Sequence, residues 1–280
     1  MSIVDEARSL TQDAAPVPPA AWRPSGRSGS ARALIKTIRV AVALIVVAAV
    51  WEGMVRGFHI KPAYLPSLSA IAGAVAIAPQ AYAAGFIRTL TETLIGMVAG
   101  SAFGIAIAIV FFRARVLREM VFPIFIVSQT IPVIAFGALI VLWFGNTLFS
   151  KAIIAFYLTF FPVTVNTLLG LESVDPRQEA LLRSFGAGRF ALLWRLQLPA
   201  ALPQIFVALR LAASLSLIGA IVGEWFGDTT GMGVLLLQHM FNENFEGLWA
   251  ALIGSAILGT GLYGFVGALE RRIVFWGAAS

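Results

Sequence analysis

Six stretches of predominantly apolar residues recur along this chain, at 34–55, 90–112, 121–144, 152–171, 205–226 and 248–269. Each reaches the roughly 20 residues that an α-helix needs to cross a hydrocarbon core of about 30 Å. Water is therefore not the main solvent of the fold. Charged residues make up only 12% of the sequence, against roughly a quarter in an ordinary soluble domain, and the mean hydropathy is +0.88. The predicted fold class is all-α, a polytopic membrane protein with six transmembrane helices.

The segments between the spans complete the outline. Residues 1–32 are rich in Ser, Pro, Ala and Arg without apolar periodicity, which predicts a disordered cytoplasmic tail ahead of a transmembrane domain at 33–280. Asp5, Glu6 and Asp13 stand where a secretion signal would be basic, so the first span is expected to stay in the membrane. Lys36 and Arg39 must snorkel from its start, and Glu52 lies near its end. Leu68 to Ile77 is apolar but too short to cross; with Pro66 and Ser67 before it and Pro79 after, it reads as an interfacial helix on the outer face.

Lys and Arg set the orientation. With the N-terminus inside, Arg8, Arg23, Arg27, Arg32, Lys36, Arg39, Arg113, Arg115, Arg118, Arg177, Arg183, Arg189, Arg195, Arg271 and Arg272 fall on the cytoplasmic side. Only Arg56, Lys61, Arg88 and Lys151 fall on the other. The positive-inside rule then places both termini in the cytoplasm, with a bacterial inner membrane as the expected location. The net charge of +6 is spread between apolar segments and forms no run, so topology accounts for it and nucleic acid is not an expected partner.

Composition also excludes chemistries. There is no cysteine, and histidine occurs only at 59 and 239; no cluster suits a metal or a nucleophile. No G-x-x-x-x-G-K-[ST] loop is present, so nucleotide has to be bound by another chain. The chain reads as a transporter component and not as an enzyme.

Within the spans, small and polar residues mark contacts. Gly96, Gly100 and Gly104 recur every four residues and flatten one helix face for close packing, either inside the subunit or between subunits. Ser255, Gly259, Thr260, Gly261, Gly264 and Gly267 do the same on the sixth span. Pro123 and Pro132 interrupt the third span around Gln129 and Thr130. Polar groups at membrane depth face protein or a watery cavity, which makes Gln129, Thr130 and Pro132 the first candidates for lining a translocation pathway. Asn166, Ser214 and Glu224 are further candidates, and Arg210 reads as an anchor.

The most informative segment is the loop at 173–203. Asp175 is placed to cap a helix that Pro176 starts, Leu181, Leu182 and Phe185 share a face, and Gly186 ends it. A second amphipathic stretch, Phe190 to Leu196, follows before Leu198-Pro199 and Pro203 restart the chain into the fifth span. These apolar residues cannot all be hidden by the loop itself, so a protein must dock there.

The run from Ala180 to Pro199, with Gly186 followed twelve residues later by Leu198-Pro199, resembles the EAA loop of binding-protein-dependent ABC importer permeases of type I. Tyr64-Leu65-Pro66-Ser67, Ile131-Pro132, Trp143-Phe144-Gly145, Phe161-Pro162, Asn166-Thr167, Ser173-Val174-Asp175-Pro176 and Leu209-Arg210-Leu211-Ala212 are similar to the nitrate, sulfonate and taurine branch. The stretch Gln129 to Ala135 and Gly223-Glu224-Trp225 lean toward its riboflavin and thiamine-pyrimidine-precursor relatives. The resemblance implies coupling to an ABC ATPase through Glu179, Ala180, Arg183, Gly186, Leu198 and Pro199. Aligned on Gly186, Ala180 takes the place of the motif's leading glutamate and Glu179 lies one residue earlier. It implies a permease homodimer in membrane lipid, two ATPase subunits that carry the ATP-Mg, and an extracytoplasmic solute-binding protein. No cofactor is expected on this chain.

The residues fit two other classes poorly. An ion-coupled secondary transporter needs ionisable groups at mid-membrane, and beyond Arg210 the spans carry only the peripheral Glu52, Glu92 and Glu224. A membrane-embedded hydrolase or transferase needs clustered His, Asp, Glu or Cys, which the spacing does not provide.

Overall fold

The computed structural model describes residues 28–275, all of its regular structure helical. Of the expected tail, residues 1–27 lie outside the described residues, as do 276–280 and the side chain of Lys36. The chain divides into two units, Met1–Trp51 and Glu52–Ser280.

Helix α1 covers Ser28–Gly57, starting inside the stretch expected as tail. Its Val42, Leu44 and Ile45 are exposed, as the lipid-facing surface of a spanning helix has to be. At its end, Glu52 takes hydrogen bonds from the Leu68 amide at 2.7 Å and the Ser69 hydroxyl at 2.7 Å. The carboxylate thus caps the positive end of helix α2, Leu68–Ile77, together with the Ser67 hydroxyl.

Pro79 does not merely end α2; it occupies the first turn of α3, Pro79–Arg113, where its missing amide proton is not needed. This helix is longer than the expected second span. The expected third span is not continuous. It is two helices, α4 Arg115–Ser128 and α5 Val133–Phe144, bent by 95° at residues 129–132. Pro132 has no amide proton to continue α4 and disfavours helical backbone at Ile131. The Tyr157 hydroxyl fastens the corner by donating to the Ser128 carbonyl and, at 3.4 Å, to that of Ile131.

Helix α6, Leu148–Glu172, is the hub. It lies between α3 and α9, Leu198–Glu224, and packs extensively on both. The contacts explain the glycines. A Cβ on Gly96 would collide with that of Ala155, one on Gly104 would come within 2.6 Å of the Phe160 carbonyl, and one on Gly219 within 2.7 Å of Ala155 Cα. Ala155, fully buried, is squeezed between two glycines on opposite neighbours. The stripe on α3 is therefore an internal contact, the closest approach that backbones allow.

Helix α7 covers Pro176–Ser184, and α8, Arg189–Leu192, runs through a π-helical turn at Leu193–Gln197 into α9 without a break. Leu198 and Pro199 do not restart the chain, as the sequence suggested. The Leu198 amide reaches back five residues to the Leu193 carbonyl, and the wider turn absorbs the proline ring that would strike the carbonyl four residues earlier in a regular helix. Two helices follow, α10 Met232–Phe241 and α11 Phe245–Ile273. Phe206, Ala212, Ala213 and Leu217 of α9 form the second core with Leu258, Leu262 and Val266 of α11.

Among the described residues, five helical segments are long and apolar enough to span, with the bent α4–α5 pair as a sixth. Arg210 pairs with Glu270 and sits 5.6 Å from the centre of the Tyr263 ring, a structural anchor between α9 and α11.

Candidate functional site

The two ends of the helix bundle carry different chemistry. At one end α3 finishes at Arg113, α6 at Glu172, and the loop holding α7 and α8 projects. The Asp175 carboxylate accepts from the Arg177 amide at 2.8 Å, and Pro176 fills the first turn. Glu179 and Arg183, one turn apart, pair at 2.5 Å. At the far end the Gly186 amide bonds the Arg183 carbonyl at 2.9 Å and the Ala187 amide bonds that of Leu182 at 3.0 Å. This pair of hydrogen bonds closes the helix as a Schellman motif, with Gly186 at φ +81°, a conformation that strains any side chain.

The loop is rigidly rooted and apolar at its tip. Arg113 donates to the Arg189 carbonyl at 2.6 Å, and Leu192 and Leu193 are buried. By contrast Leu181, Phe185, Phe190 and Trp194 are exposed, Phe185 at 81%. Ala180 and Gly186 share that exposed surface, whereas Leu198 and Pro199 are half-buried at the base. Large aromatic side chains held outward on a capped, anchored helix pair form an exposed apolar patch, a kind of surface that marks contact sites in other proteins.

The pathway candidates are not gathered into one place. Gln129 ends α4 with its Nε2 buried and without a hydrogen-bond partner, and Thr130 and Pro132 are exposed at the corner. Asn166 donates to the Pro162 carbonyl one turn back, at 2.8 Å, and Ser214 is exposed on α9. Glu224 is at the other end of the bundle and is only 1% exposed.

That end carries the feature the sequence reading missed. Thr89 donates to Glu224 Oε1 at 2.5 Å while accepting from the Met232 amide at 2.8 Å, and the Gly233 amide donates to Oε2 at 2.5 Å. One carboxylate thereby ties α9 to α3 and to the start of α10. Glu92, fully buried, adjoins it and takes Arg88 Nε at 2.7 Å. Beyond them Asp228 lies 3.0 Å from the fully buried Lys151 ammonium, an ion pair without linear hydrogen-bond geometry, and 3.8 Å from Arg88. Burial opposes ionisation of Asp228, but Lys151, the Thr229 amide and Arg88 outweigh it and hold the carboxyl below its ordinary range. The Arg88–Glu92 pair was legible from its spacing. Thr89 went unread, although Thr89, Glu92, Thr93, Gly96 and Gly100 continue one face at helical spacing, the signal that could have found it.

Comparison with known proteins decides the family. The model of the "binding-protein-dependent transport system inner membrane component" family matches residues 100–275. The chain belongs to this family. Relatives of this transport component include the formylaminopyrimidine transport permease protein ThiX of Halalkalibacterium halodurans, 33% identical over 81% of the present chain and 91% of that protein. The riboflavin transport system permease protein RibX of Chloroflexus aurantiacus is 35% identical over 59% of this chain and 62% of its own. The taurine transport system permease protein TauC of Escherichia coli is 27% identical over 83% and 87%. The chain is thus an all-helical membrane permease of the ABC importer family, of the branch that the sequence resemblance indicated.

Proposed function

We propose that this permease couples to a separate ABC ATPase through α7, Gly186 and α8, and carries a small organic solute inward across the membrane. The observation that carries the reading is the exposed aromatic tip, Phe185 and Phe190, on a loop whose base is pinned by Arg113, Leu192 and Leu193. A push on a rigidly rooted lever reaches α9 directly, because α8 continues into α9 through the π-helical turn. Two copies of the chain pack around a central pathway, two ATPases holding ATP-Mg dock below, and a solute-binding protein delivers from above. Both termini then lie on the ATPase side. ATP-driven closure of the motor rocks the helices between outward-open and inward-open arrangements.

Names of relatives support two solute classes, sulfonate- or nitrate-like anions and the riboflavin or pyrimidine-precursor group. Gln129, Thr130, Pro132, Asn166, Ser214 and Glu224 remain the proposed pathway residues. The coupling test is a pair of substitutions, Gly186→Asp and Phe185→Glu. The space around Gly186 is open and the backbone strain of an aspartate at φ +81° is confined to the end of α7, so both variants are expected to insert into the membrane, yet to lose co-purification with the ATPase and solute uptake. Normal uptake by either one refutes the assignment.

A further inference from the structure

At the end of the bundle opposite α7 and α8, a cavity of about 460 Å³ opens between α2 and the junction of α10 with α11. Helix ends fix its level. Tyr82 lies in the first turn of α3, His239 in the last turn of α10 and Glu246 in the first turn of α11, where helices that span a membrane meet its headgroup boundary. Gly73 and Ala74 of α2 form one wall, and nothing stands within 4 Å of the point that a Cβ on Gly73 would reach. No charged residue occurs from Leu68 to Ala81, and Ile77 is 87% exposed, so α2 turns an apolar side to lipid and not to water.

The facing wall is polar and only partly matched. Tyr82 and His239 hold each other at 3.1 Å, and Asn244 spends its Oδ1 on the Gly247 amide at 2.9 Å. The Asn244 Nδ2 and the Glu246 carboxylate are left over. Glu246 is half-buried and enters no hydrogen bond or ion pair among the described residues, and no lysine or arginine lines the cavity. The positive end of α11 favours a carboxylate at 246, but the cap there is Asn244, so both Glu246 oxygens stay available.

We propose that this cavity holds a phospholipid whose headgroup carries a primary ammonium, in the leaflet opposite α7 and α8, with its acyl chains along the small-residue side of α2. An acyl chain gains little by leaving lipid for an apolar protein wall, so the headgroup decides which lipid sits here. An ammonium has three donors and no acceptor, which suits the unmatched carboxylate, and the Asn244 Nδ2 can donate to the phosphate. An anionic lipid without the ammonium would bring its phosphate to Glu246 with no cation in the walls to offset it.

The test uses the full chain in nanodiscs holding equal amounts of phosphatidylethanolamine and phosphatidylglycerol with identical acyl chains. Released for native mass spectrometry, each chain is expected to retain one phosphatidylethanolamine in preference to phosphatidylglycerol. Glu246→Gln should lower that preference by about five-fold or more, as loss of a charge-assisted hydrogen bond at a half-exposed site does. Gly73→Leu, whose side chain fills the open slot, should expel the lipid. Glycerophosphoethanolamine, the same headgroup without acyl chains, should not displace it. Equal retention of both lipids, retention of neither, a preference that Glu246→Gln leaves intact, or an inserted Gly73→Leu chain that keeps the lipid overturns the inference. Displacement by the chain-free headgroup overturns it as well, by giving the site to a soluble amine. Should Gly73→Leu fail to insert, the Glu246→Gln comparison decides. None of these outcomes bears on coupling through α7 and α8.

Discussion

Gly233 donates its amide proton to Glu224 at 2.5 Å, and this contact exists because residue 233 has no side chain. A Cβ there would stand 2.7 Å from Glu224 Oε2 and 2.6 Å from the Ile221 carbonyl. Gly233→Ala must push α10 away from α9 or strip the carboxylate of a donor. Overpacking of this kind costs about 1–3 kcal/mol, and the unpaired carboxylate adds to it. Thermal unfolding of the purified variant should show a lowered midpoint, and Thr89→Val should lower it as well, by removing the second donor.

The glycines of α3 and α11 look alike in sequence but predict opposite outcomes. Gly96 has no room for a methyl group against Ala155, whereas Gly261 has nothing within 4 Å. Gly96→Ala is therefore expected to cost about 1–3 kcal/mol. Gly261→Ala should be neutral or slightly stabilising, by up to about 1 kcal/mol through helix propensity. Parallel thermal unfolding in one detergent checks the contrast, and equal shifts would show that the α3 stripe is not a packed face.

Lys151 and Asp228 form the most deeply buried ion pair at the end of the bundle opposite α7 and α8, with Lys151 fully enclosed and Asp228 nearly so. Removing one partner of such a pair costs on the order of 3–5 kcal/mol, while removing both costs much less. Asp228→Asn should be the worse single change, because it leaves a fully enclosed ammonium without its ion-pair partner. Lys151→Met leaves Asp228 with Arg88 at 3.8 Å and the Thr229 amide at 2.8 Å. The double variant should recover part of the loss. A double-mutant cycle on unfolding midpoints measures the coupling, and strict additivity would deny that the pair acts as a unit.

How far the sequence anticipates such features depends on whether a signal is local. Helix α2 and the cap at Asp175, Pro176 and Gly186 follow from turn chemistry within a few residues, and the structure reproduces them. The family resemblance rests on the same short-range motifs. The break between α4 and α5 was visible as Pro132, but its 95° size was not, because it is set by Tyr157 on α6 reaching across to the corner. The Glu224 junction joins residues 135 apart to Thr89 and nine apart to Gly233. No periodicity within α9 reports that meeting. A polar face on α3 running from Thr89 through Glu92 into the glycine stripe was the nearest hint.

His239 gives the end of the bundle opposite α7 and α8 a pH dependence with a definite sign. Its imidazole stacks on Tyr82 with ring centres 6.0 Å apart, and its Nε2 lies 3.1 Å from the Tyr82 hydroxyl. Gly247 closes the other side, where a Cβ would stand 2.5 Å from the ring. Desolvation by burial pushes the imidazole below its ordinary range. A histidine whose folded value lies below its unfolded value of about 6.5 binds fewer protons in the folded state. Stability is therefore fully present above that pH, declines as pH falls through it, and stops declining once pH is below the folded value. Unfolding midpoints recorded from pH 8 down to 5 should fall in the lower half of that range for the wild-type chain. His239→Gln, which keeps a hydrogen bond to Tyr82 but cannot titrate, should flatten that decline. An unchanged slope in the variant would assign the dependence to another group.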